Sequence, residues 1–309
     1  MKYGRLAIEF IYWISSLTHE NHFARLKQRN EENFTELIGI PYALDDSDVH
    51  SFNLYCPIKN SNGIIIFDIH GGVRKGSNVS NYEQDIALAK RGFIIAAMNY
   101  ELIDEKKDDG VLNAIKDIIS CISHCYKERR KFGFSFDKVV LKGDGYGGYL
   151  ALLITEIVNS KELQKEFDIK ISERIKISSL LLDSPIYDLD NLYDSLSKNI
   201  CESALSCIFS SSIQNEDYRK KFNPKTYLSI DIISPIFITV NSRNFYANHS
   251  IILDNELNRM DGRYEFIFNR DRCIRKQHIF DIVELKDREA INATDEMIKF
   301  LENIFMNQH

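Results

Sequence analysis

The run VVLKGDGYGGYLALL, residues 139 to 153, holds the densest candidate chemistry in the chain. Gly143, Gly145 and Gly148 spell G-x-G-x-x-G between an apolar strand pattern and an apolar helix start. In a βαβ unit that spacing cradles a dinucleotide pyrophosphate and needs an acid at the end of the next strand to hold the ribose. Here the next strand pattern ends at Asp183, 35 residues beyond Gly148, against roughly 20 in the fingerprint. The motif also falls at the fifth strand pattern instead of the first. The phosphate-cradle reading is therefore disfavoured, and no cofactor is expected.

The same residues fit a second geometry. A sharp strand-to-helix turn that presents a nucleophile needs small residues on both sides of it, and Gly143 and Gly147 stand in those places. Other strand ends carry matching pieces. The third strand pattern ends in His70-Gly71-Gly72, and small residues there let backbone N–H groups converge on a developing oxyanion. The fourth ends in Asn99-Tyr100-Glu101-Leu102, and a late His278 follows the eighth.

In this order these features resemble the α/β-hydrolase superfamily, in its H-G-G esterase and lipase branch (hormone-sensitive-lipase-like and feruloyl-esterase-like). The resemblance covers roughly residues 34 to 306. It implies a G-D-S-A-G-G elbow where this chain has Gly143-Asp144-Gly145-Tyr146-Gly147-Gly148, so Gly145 stands at the nucleophile position. The family's H-G-G-G-W corresponds to His70-Gly71-Gly72-Val73-Arg74, and its Y-R-L to Tyr100-Glu101-Leu102. Its G-x-x-D acid corresponds to Asn241-Ser242-Arg243-Asn244, so Asn244 stands at the acid position. No Asp or Glu occurs between Asp231 and Asp254; Asp183 or Asp188 could supply an acid from the preceding strand. His278 is the surviving triad histidine. Gly71, Gly72, Val73 and the Tyr146 N–H are the expected oxyanion-hole and binding groups, and His70 is expected to order its loop.

Serine-type hydrolysis needs an attacking Oγ, an imidazole to take its proton and a carboxylate to hold that imidazole. Gly145 has no side chain, and Asn244 offers an amide oxygen without charge. Both changes argue against ester hydrolysis at this centre. The favoured expectation is a pseudo-hydrolase that binds a small-molecule ligand or a protein partner. Two alternatives stay open: a non-hydrolytic enzyme such as a lyase or cyclase, with His278 as general base and the H-G-G loop as oxyanion hole, and a carboxylic-ester hydrolase with a rearranged triad. Ser77, Ser184 and Cys273 lie near strand ends as substitute nucleophiles, but ordinary loop or packing roles are favoured for each.

The elements that would position these groups read as α/β. Strand patterns occupy residues 34 to 40, 50 to 56, 63 to 69, 93 to 99, 138 to 143, 176 to 183, 235 to 241 and 264 to 269. Helical patterns at 80 to 91, 110 to 130, 147 to 160, 247 to 260 and 287 to 306 alternate with them, which implies a largely parallel, eight-stranded sheet covered on both faces. The first two strands read as an antiparallel hairpin at one edge. Residues 188 to 232 break the rhythm and read as a cap insertion, and residues 1 to 33 as an N-terminal helical segment.

Bulk properties narrow the function classes. The 309 residues are 44% hydrophobic with a net charge of -6, so a large core can form and no basic footprint for nucleic acid is present. The longest apolar run near the N-terminus, residues 10 to 14, is too short to span a bilayer. Six cysteines include no C-x-x-C pair; they read as free thiols of a reducing, cytoplasmic compartment. Cys121, His124 and Cys125 share one helical turn, a grouping read as packing and not as a metal site.

Overall fold

The computed structural model describes residues 27–30, 34–270 and 288–305, apart from 46, 60, 73–75, 104–109, 133–135, 200–210, 230, 232, 243 and 245. Val73, Cys201, Cys207, Cys273 and His278 lie outside the described residues. Among the described residues nine strands form one sheet: β1 (Lys27–Asn30), β2 (Phe34–Pro41), β3 (Ser51–Pro57), β4 (Ile64–Ile69), β5 (Ile94–Met98), β6 (Lys138–Asp144), β7 (Ile177–Asp183), β8 (Ile236–Asn241) and β9 (Tyr264–Asn269). Their spatial order is 1-2-3-5-4-6-7-8-9. The first three strands and the β3–β5 pair run antiparallel; from β5 through β9 every pair is parallel.

Helices fill the crossovers: α1 (Tyr82–Lys90), α2 (Gly110–Glu128), α3 (Tyr146–Asn159), α4 (Lys161–Glu166), α5 (Leu189–Asn199), α6 (Glu216–Phe222), α7 (Pro224–Tyr227), α8 (Ala247–Arg259) and α9 (Arg288–Phe305). Strand alternation sorts the core into two layers. Ile65, Phe67 and Ile69 of β4 face α2 and α3 within one buried cluster. Ile64 and Ile66 face the opposite way, toward α1 and α9. Central strands read as unbroken apolar runs because both faces are covered: β4, β5 and β8 are buried at every position.

One expectation is corrected. Residues 27–30, expected inside a helical segment, form strand β1, which pairs with β2. The β2–β3 hairpin is therefore not at the sheet edge. The segment KQRN carries no apolar periodicity, so only its pairing with the open edge of β2 reveals it; charged residues are at home on such an edge.

Between β7 and β8 the chain makes a helical insertion. Its short helices have local start signals: the Asn215 side chain accepts from Tyr218 N–H at the head of α6, and that of Asn223 from Lys225 N–H at the head of α7, with Pro224 in the first turn. The insertion is tied to the body where Tyr149 of α3 donates its buried hydroxyl to the Phe222 carbonyl at 2.8 Å. Replacing Tyr149 by Phe removes that bond and leaves the ring. The expected loss is about 1 kcal/mol in urea unfolding with an unchanged far-UV spectrum.

Candidate functional site

The turn from β6 into α3 is set by close approaches that exclude side chains. A Cβ on Gly147 would lie 1.9 Å from the Ile69 carbonyl oxygen at the end of β4, and one on Gly143 would lie 2.5 Å from the Gly147 carbonyl. Those two glycines are packing requirements of the bend. Gly145 sits at its apex with φ 50° and ψ −107°, a region that side-chain-bearing residues occupy only under strain. Its N–H donates to Asp183 O at 2.9 Å, and its carbonyl accepts from Tyr149 N–H at 3.1 Å and Ile186 N–H at 3.2 Å. The bend has the strand–turn–helix shape of a nucleophile elbow, and position 145 carries no side chain. Tyr146 is the first residue of α3, where helix N–H groups have no acceptor within the helix.

The loop after β4 lies beside the elbow. The His70 ring stacks on Tyr100 with centroids 4.5 Å apart, and Tyr100 donates its hydroxyl to the His70 carbonyl at 2.5 Å. His70 Nδ1–H donates to Gly71 O at 2.9 Å, and burial holds the imidazole below its ordinary pKa. His70 is thus a neutral loop-ordering group. Gly71 requires a correction. Its N–H donates to Asp144 Oδ1 at 2.8 Å, so it is not an oxyanion donor; the backbone is held there because a Cβ would strike Asp144 Oδ2 at 2.0 Å. Gly72 follows at φ 88°.

Behind this loop is a buried ionic cluster that sequence reasoning missed. Lys142 of β6 is 3% exposed in its side chain and pairs with Asp68 of β4 at 2.6 Å and Asp85 of α1 at 3.1 Å. Asn81 bridges from Asp68 Oδ1 at 3.1 Å to Asp144 Oδ1 at 3.0 Å, the same oxygen that holds Gly71. A chain of contacts therefore runs from Lys142 to the H-G-G loop. Burial works against the Lys142 charge, but Asp68 and Asp85 outweigh it and hold the ammonium above its ordinary range. Burial, then Asp68, pushes the Asp85 carboxyl well above its ordinary range, and the Lys142 ammonium acts the other way. The signal was present in the sequence as a lone Lys in an apolar strand, two residues from an Asp on the same face.

The remaining candidates fall at the neighbouring strand ends. Asn244 is buried, and its Oδ1 accepts from Tyr246 N–H at 2.7 Å, while its carbonyl accepts from Ala247 N–H at 3.0 Å at the start of α8. Asp183 Oδ1 accepts from Ser184 Oγ–H at 2.7 Å. Ser184 is fully buried with φ 49°, so its hydroxyl is committed to Asp183 and out of reach of solvent. Asp188 accepts from the Asp190 and Asn191 N–H groups at 3.0 and 3.1 Å and pairs with Lys225 at 2.7 Å. Burial opposes its charge, but the Lys225 bond and the amides hold its pKa low. Asp188 thus caps a helix. Asp183 is the acid nearer the elbow, one hydrogen bond from Gly145 through its own carbonyl. Cys121 and Cys125 are buried free thiols. Among the described residues no three His, Cys, Asp or Glu side chains are grouped to hold a metal. A cavity of about 530 Å³ lined by Gly63, Arg129, Arg130, Phe136 and Asp137 opens at the opposite end of β4 and β6, away from the elbow.

Residues 52–249 match the BD-FAE family model, well over half of the chain. The chain belongs to the BD-FAE family. This BD-FAE chain has no match among curated proteins. Its fold is that of solved α/β-hydrolase esterases. Esterase B from Lactobacillus rhamnosis is 20% identical with a TM-score of 0.78, over 100% of this chain and 98% of that one. Esterase LipW from Mycobacterium marinum is 13% identical at 0.66, over 98% and 90%. A bacterial heroin esterase is 15% identical at 0.64, over 99% and 93%. No helix among the described residues is long and apolar enough to cross a membrane.

The ionic cluster makes opposite predictions for its two ends. Lys142→Met leaves buried carboxylates without their cation and is expected to cost about 3–5 kcal/mol. Asp85→Asn keeps a polar group beside Lys142 and removes a carboxylate that burial disfavours, and is expected to stay within about 1 kcal/mol of the parent. Chemical denaturation of both variants at neutral pH checks the assignment.

Proposed function

We propose that this BD-FAE family member is a pseudo-hydrolase: it keeps the esterase scaffold and elbow, lacks serine-hydrolase activity, and uses the site to bind a small-molecule ligand or a protein partner. The observation that carries this reading is Gly145 at the apex of an elbow whose backbone geometry is retained. An acyl-enzyme needs a side-chain nucleophile at that apex, and glycine offers none. Loss of the nucleophile removes about six orders of magnitude in rate in enzymes of this type. Support also comes from the neighbours. The Ser184 hydroxyl is buried and donates to Asp183, and the Asn244 amide oxygen accepts from the backbone at the start of α8. Gly72 and the first-turn amide of Tyr146 are the groups proposed to meet a ligand oxygen, with Val73 and His278 completing the site.

A panel of p-nitrophenyl esters tests the reading. The expected result is no turnover above the uncatalysed rate for the native chain and measurable turnover for Gly145→Ser combined with Asn244→Asp, because the backbone bend at position 145 is retained. Ester turnover by the native chain would overturn the proposal and favour a rearranged triad. Gly145→Ser alone is expected to lower stability by about 1–3 kcal/mol, since serine must adopt φ 50°; urea unfolding measures it.

A further inference from the structure

We propose that His249 is a proton-operated latch on the helical insertion: its ring holds the root of the insertion while Nδ1 is bare and releases it when Nδ1 takes a proton. The chain leaves β7 at Asp183 and enters α5 at Leu189. At this root the backbone N–H groups of Tyr187 and Asp188 both point at His249 Nδ1, at 3.4 and 3.2 Å. His249 is on α8 and is 3% exposed. Backbone amides only donate, so Nδ1 must accept, and the proton of the neutral ring is on Nε2.

The root is a knot of few bonds, and the ring is at its centre. Immediately beyond it the Asp188 carboxylate starts α5 and pairs with Lys225 of α7. Asn223 accepts from Leu189 N–H at 3.2 Å, and Asn248 of α8 donates to Asn191 at 3.2 Å. A proton on Nδ1 would set an N–H⁺ against two N–H donors and place a charge in a buried site.

The groups around the ring fix the direction of the response. Asp188 faces it from the root and favours the charged form, but Lys225 neutralises that carboxylate. Tyr187 from the root and Tyr246 from α8 stay neutral, and Glu156 of α3 and Glu256 of α8 lie beyond, against Tyr187. Burial dominates and pushes the ring down to about 4, with Asp188 acting weakly the other way. A released ring titrates near 6.5. Latching is therefore fully favoured above pH 6.5 and is lost as pH falls from 6.5 through 4. Between pH 7 and 5 the bias falls roughly 20-fold. Asp188, held low, stays ionised through that window. This device operates whether the site binds or hydrolyses its ligand.

Hydrogen–deuterium exchange of the full chain at pH 7 and 5, corrected for intrinsic rates, tests it. Peptides covering 189–199 and 212–227 report the insertion, and peptides covering 64–69 and 138–144 the sheet. Native protein is expected to lose roughly 20-fold protection in the insertion relative to the sheet at pH 5. His249→Asn supplies an amide oxygen near the Nδ1 position that does not titrate, and its insertion is expected to be equally protected at both pH values. His249→Phe is expected to exchange rapidly in the insertion at both. Constant relative protection in the native chain, a fall shared equally by insertion and sheet, or the same fall in His249→Asn would overturn the latch.

Discussion

The site depends on one close approach. Strand β6 must end and α3 must begin within contact of the last carbonyl of β4, and only hydrogen fits at Gly143 and Gly147. That approach forces the bend, and the bend forces the positive φ of Gly145. It also places the first turn of α3 beside the end of β4. Such a scaffold survives loss of the nucleophile, because none of the contacts that shape it involve a side chain at position 145. The shape of the bend is therefore evidence about architecture, not about activity.

The second constraint is electrostatic. Lys142, Asp68, Asp85, Asn81 and Asp144 are buried together where β4, β6 and α1 meet. A cluster of this kind is poor as a source of stability, since desolvation offsets most of the attraction. Its geometric role is clearer: each polar group is satisfied only if α1, the two strands and the H-G-G loop are in register. Asp144, a member of the elbow motif, is shared between this cluster and Gly71, which couples the loop to the elbow.

Much of this was legible in the sequence for a physical reason. Buried parallel strands must be continuous apolar runs, and the central strands β4 to β8 were visible as such, while the more mixed β2 and β3 read as an antiparallel hairpin; the longer helices followed from their periodicity. The elbow was legible because steric demands fix glycine at two positions around it. What escaped was written in pairings instead of patterns. Strand β1 is polar and defined by its partner. The Lys142 cluster joins residues up to 74 apart in sequence, and His249 acquires its role only through Tyr187 and Asp188. Gly71 was assigned to the oxyanion hole because its type and place fit, whereas the direction of its N–H is set by Asp144. The family match and the esterase neighbours fix the fold and the family.

The central claim is that no side-chain nucleophile is available at the elbow. Intact-mass spectrometry after incubation of the native chain with a serine-directed fluorophosphonate measures this most directly, because the reagent reports an activated hydroxyl whatever ester the site would prefer. The account predicts an unmodified mass for the native chain and a single adduct on the variant with Gly145→Ser and Asn244→Asp. A stoichiometric adduct on the native chain would contradict it and would place the nucleophile on another residue.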